Sequence, residues 1–122
     1  MTNAVDEYTS DDLQEALRPI ASLISKSEKA QQKLAPGSWQ HTMLQGNLTA
    51  LHIALALMNR AADEFTPDQL QNARRAFASM IGKTEKAQAK FSPGTSQHTL
   101  QRNRLKALRI AVAVITAELD KG

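Results

Sequence analysis

Two short stretches of this 122-residue chain place a hydroxyl three residues before a histidine: Ser38 before His41, and Thr95 before His98. A hydroxyl beside an imidazole is the starting material of nucleophilic catalysis, in which the ring takes the proton as the oxygen attacks. That chemistry also needs a third group to orient the ring, and neither histidine has an Asp or Glu nearby in sequence. Both pairs follow a Pro-Gly step, where a helix is expected to start. There the hydroxyl is better used as a cap that accepts the backbone N–H of the histidine. The pairs therefore read as part of two structural corners, Pro36, Gly37, Gln40 and His41 in the first, Pro93, Gly94, Gln97 and His98 in the second.

Metal chemistry fails on spacing. His41 and His52 are separated by eleven positions, which on one helix is about 16 Å at ~1.5 Å per residue. No histidine has a second histidine or a carboxylate three or four residues away in the arrangement that binds an ion from one helix face. The acidic residues Asp11, Asp12, Glu15 and Asp68 sit at expected helix starts, where they complement the dipole, while Glu28 and Glu85 stand alone. There is no glycine-rich phosphate loop, dinucleotide fingerprint or nucleophile elbow. The sequence predicts a protein that is not an enzyme and carries no cofactor.

Charge is the remaining signal. Residues 1–60 hold five Lys/Arg against six Asp/Glu, and the remainder ten against six, so the halves carry −1 and +4 of the total of +3. At ~100° per residue, Lys26, Lys29 and Lys33 share one helix face, as do Lys83, Lys86 and Lys90. A further face is common to Arg102, Lys106 and Arg109, where the first half has Gln45, Thr49 and His52. Together with His98, these six basic residues of the second half form a candidate anion-binding corner next to a helix N-terminus. The competing reading is a solvated face whose lysines complement a helix C-terminus. Base stacking on single strands has little to rest on, since aromatic residues are scarce here, and no recognised nucleic-acid motif accompanies the charge.

The elements that would position these residues are helices. Gly and Pro together number nine, Ala, Leu and Ile are abundant, and cysteine is absent, which excludes a disulfide framework. Thr9 and Thr66 supply N-cap hydroxyls, the second followed by Pro67 at the first helical position and Gln69 at the third. Leu13, Leu17, Ile20 and Ile24, then Leu70, Phe77 and Ile81, recur at helical spacing. After each Pro-Gly corner a second stripe follows: Leu44, Leu48, Leu51, Leu55 and Met58, then Leu105, Leu108, Val112, Ile115 and Leu119. The segments 50–58 and 107–117 are apolar on more than one face, which suits either the centre of a bundle or an interface with another chain. No apolar stretch approaches the ~20 residues of a membrane span, and the acidic start of the chain has no signal-peptide character, so a cytoplasmic location without membrane contact is expected.

A shift of 57 positions aligns 8–58 with 65–115 without a gap, and 26 of the 51 pairs are identical. The reading is therefore an all-α single domain over 1–122, a four-helix assembly of two tandem helical hairpin repeats with approximate two-fold symmetry. The expected role is non-catalytic interaction with a protein partner or a second copy of the chain. Binding of an anionic ligand or nucleic acid at the basic corner is the alternative. One hairpin of this size cannot cover its own apolar faces. Residues 1–62 expressed alone should therefore show no cooperative thermal transition by circular dichroism. A compact monomer with a sharp melt would overturn the two-repeat reading.

Overall fold

The computed structural model describes residues 8–59 and 64–121, so the acidic segment 1–7 and Arg60 lie outside the described residues. Four helices account for nearly all of it: α1 (Ser10–Gln32), α2 (Trp39–Met58), α3 (Pro67–Ala89) and α4 (Ser96–Lys121). No strand occurs among the described residues. The chain is all-α, as its composition and periodicity require.

Local chemistry sets the helix starts. Thr9 accepts the Asp12 N–H at 3.0 Å, and the Asp12 carboxylate accepts the Thr9 N–H at 3.0 Å. Thr66 and Gln69 exchange the same pair of bonds at 2.8 and 3.1 Å. Two orphan donors are thus satisfied at each start, and Pro67 enters α3 where its missing N–H costs nothing. α1 and α3 stop three to four residues before the prolines. Their last carbonyls are met by Lys33 and Lys90, whose backbone N–H groups turn back onto Ala30 and Gln31, and onto Ala87 and Gln88. Gly37 and Gly94 then take φ of 89° and 91°, the left-handed region where a Cβ is strained, and the chain reverses.

α2 packs on α1, α3 and α4, and α4 packs on α1, α2 and α3, whereas α1 and α3 pack on those two and not on each other. The central helices carry most of the core: Leu51, Ala54, Ile110, Ala111 and Ile115 are buried, and α1 and α3 contribute Ile20 and Phe77 from the flanks. The two-faced apolar segments of α2 and α4 are largely covered inside the bundle, with Leu55, Leu57 and Val112 partly buried against the core. No described side-chain polar atom is buried without a partner.

Pro19 lies inside α1. It removes the N–H that would meet the Glu15 carbonyl, a loss that normally kinks or ends a helix. α1 continues because Ala16, Ile20 and Ile24 on either side are locked in the core, so tertiary burial overrides the local penalty.

The corner glycines generate a clean test. Open space surrounds the Cβ position of both, so Gly37→Ala or Gly94→Ala meets only the backbone penalty, about 1–2 kcal/mol. Gly82, inside α3 and equally uncrowded, should instead gain about 0.5–1 kcal/mol as Gly82→Ala through helix propensity. Urea midpoints should move in opposite directions. The same sign for both classes would contradict the backbone assignment.

Candidate functional site

The hydroxyl–histidine pairs are resolved by geometry. Ser38 Oγ accepts the backbone N–H of His41 at 3.2 Å, and Thr95 Oγ1 accepts that of His98 at 3.2 Å. Thr95 also donates to the Ser92 carbonyl at 2.8 Å. Both hydroxyls therefore serve the first turn of a helix. Among the described residues no cluster of three or more His, Asp or Glu side chains is spaced to hold a metal ion.

The first corner is closed by side chains. Gln31 near the end of α1 donates its amide to Gln45 Oε1 at 2.8 Å and to the His41 carbonyl at 3.4 Å. These bonds tie α1 to α2 across the turn, with Gln40, Pro36 and Gly37 exposed around them.

The second corner is open. A cavity of about 700 Å³ lies between α3 and α4, and the sequence-expected residues His98, Arg102, Lys106 and Arg109 line it. The other three do not. Lys83 turns towards α2, where its ammonium meets Met43 Sδ at 3.5 Å. Lys86 and Lys90 are exposed at the end of α3 and complement its dipole. The face opposite an apolar stripe points to solvent, whereas the groove is bordered by the flank of α3 that carries Glu85, Gln88 and Ala89. Of the second corner, Pro93 lines the cavity, Gly94 makes the turn, and Gln97 is exposed.

Residues not anticipated from sequence complete the groove: Tyr8, Glu85, Gln88, Phe91 and Leu105. Tyr8 arrives from the start of α1, far away in sequence. Two cations of α4 are partnered. Lys106 Nζ meets Asp12 Oδ1 at 3.3 Å, and Arg109 Nη2 meets Glu85 Oε2 at 3.6 Å. Arg102 forms no ion pair with any described residue. The groove thus combines a guanidinium with no ion pair among the described residues, two positioned cations, one carboxylate on its wall and an apolar lining from Phe91, Pro93 and Leu105. Its described lining residues include charged groups but no hydroxyl or thiol nucleophile hydrogen-bonded to a base.

Comparison with protein-family models, with curated proteins and with solved structures finds no match.

Asp12 joins the capping box of α1 to Lys106 of α4. The Thr9 backbone N–H, aided by Lys106, holds its carboxyl below the usual carboxylate range. A carboxylate depressed in the folded state binds fewer protons than it does unfolded. Its stabilisation is therefore present above about pH 4, the ordinary Asp range, and is lost as pH falls through the lowered folded value. Asp12→Asn should flatten the fall of the urea midpoint over that acid range and, near neutrality, lower it by an amount that does not vary with pH. Identical acid limbs for the two proteins would remove Asp12 from this role.

Proposed function

We propose that this chain is a non-catalytic helical interaction module, a single domain over 1–122 built from two hairpin repeats, 8–58 and 65–115, with approximate two-fold symmetry. The 57-position shift supports the repeat: it brings together the two capping boxes, the two left-handed glycines and the buried pairs Leu51/Leu108 and Ala54/Ala111.

The observation that carries the interaction reading is Trp39. It is the only tryptophan in the chain, it opens α2, and it is 70% exposed. The position 57 residues later is Ser96, so a helix can start there without an aromatic ring and the fold does not require one. A tryptophan contributes a large apolar area when covered, and it is enriched among the residues that dominate protein interfaces. Leu100 at 46% and Phe91 at 36% exposure are further large apolar side chains outside the core. The partner is another protein or a second copy of this chain.

The nucleic-acid alternative draws on Arg102, Lys106 and Arg109, but Asp12 and Glu85 offset two of these charges. A polyanion needs many uncommitted cations, since its affinity comes from counterion release along the backbone.

The lone tryptophan is also the probe. Native mass spectrometry of the tagged chain purified from its own cells should report a complex or a dimer, accompanied by a blue shift of Trp39 emission. Trp39→Ser should abolish the complex and leave the thermal midpoint within a few degrees of the parent. A strict monomer whose emission and mass are indifferent to lysate would refute the proposal.

A further inference from the structure

We infer that the groove between α3 and α4 accepts an acidic segment of a partner protein, a carboxylate flanked by apolar side chains. This rests on the interaction-module reading and gives its partner a chemistry.

The inference comes from how the two corners differ. At matching positions the core-facing residues are the same: Leu48 and Leu105, Ala50 and Ala107, Leu51 and Leu108, all buried. On the solvent side of the same helix turns, Gln45, Thr49 and His52 of α2 correspond to Arg102, Lys106 and Arg109 of α4. Packing is therefore satisfied equally by neutral and cationic sets, and the bundle makes no demand for three cations on α4. Their arrangement has a local effect. In the first corner Gln31 and Gln45 close the turn with a 2.8 Å hydrogen bond. In the second, the matching Gln88 and Arg102 are both lining residues of an open cavity of about 700 Å³, within the size range of ligand sites.

The charges specify the occupant. Asp12 and Glu85 hold Lys106 and Arg109 in place while both cations stay 55% exposed. Arg102, exposed and without an ion partner among the described residues, offers a planar fork that matches a carboxylate through two parallel hydrogen bonds. Phe91 and Leu105 supply apolar wall beside it. Glu85, 53% exposed within the groove, repels a chain of closely spaced phosphates more than a single carboxylate. An acidic peptide segment with neighbouring leucine or phenylalanine satisfies all of these features together.

The test is a peptide-display selection on the immobilised full chain, followed by fluorescence anisotropy with the enriched peptide. Two variants run alongside: Arg102→Glu, and Arg102→Gln, which recreates the glutamine pairing of the first corner. Segments rich in Asp or Glu beside Leu or Phe should be enriched on the parent. Affinity should fall at least about tenfold for each variant, with circular dichroism and thermal midpoint unchanged. Enrichment of neutral or basic segments, no enrichment, binding by either variant as tight as that of the parent, or displacement of the peptide by a labelled oligoribonucleotide would each overturn the inference. Loss of the Trp39-dependent complex marks failure of the module itself. A complex that persists without acidic selection marks failure of this groove alone.

Discussion

α2 contains no Asp, Glu, Lys or Arg in twenty residues. A helix of that composition offers water only an uncharged polar strip, which includes Gln45, Thr49 and His52, and it depends on neighbours to cover its apolar faces. The bundle meets this demand by placing α2 in contact with all three other helices, and α4, uncharged from Ile110 to Ala117, in the same position on the other side. The small side chains Ala50, Ala54, Ala107 and Ala111 are buried along these two helices, and their size permits close backbone approach. Each fully covered Leu, Ile or Phe contributes roughly 1.5–3 kcal/mol. The flanking helices, with charged outer faces, then shield the pair from solvent.

Within this frame the two flanking contacts are not equivalent. Where α1 lies along α4, Asp12 reaches Lys106 and the intervening groove is about 230 Å³. Where α3 lies along α2, the matching positions are Gln69 and Thr49, Gly46 replaces Asn103, and the groove is about 460 Å³. The ion pair is exposed, so screening keeps its energy small. Its greater effect is positional, since it fixes Lys106 beside the cavity that Arg102 and Arg109 also line.

Helix starts and corners were readable from the chain because capping and reversal depend on a few adjacent residues. Thr66, Pro67 and Gln69 announce a start, and Gly37 and Gly94 a turn, whatever packs around them. The basic face of α4 was readable for a similar reason: Arg102, Lys106 and Arg109 share one helix, and helical spacing places them together. The groove opposite them was not readable, because it depends on which flank of α3 turns towards α4. Lys83, Lys86 and Lys90 share a face that does not line it, while the isolated Glu85 does. Tyr8 and Asp12 come from the far end of the chain, and no local pattern links them to α4. Pro19 shows the converse, a strong local signal overruled by the burial of its neighbours.

The contact between α1 and α4 sets the connectivity this architecture can tolerate. The first and last helices are packed side by side, as are α2 and α3, which the chain joins directly. A chain opened between Met58 and Pro67 and rejoined from Lys121 back to Tyr8 through a flexible linker would preserve every helix pairing. Gene order and spatial order are thus separable in this protein.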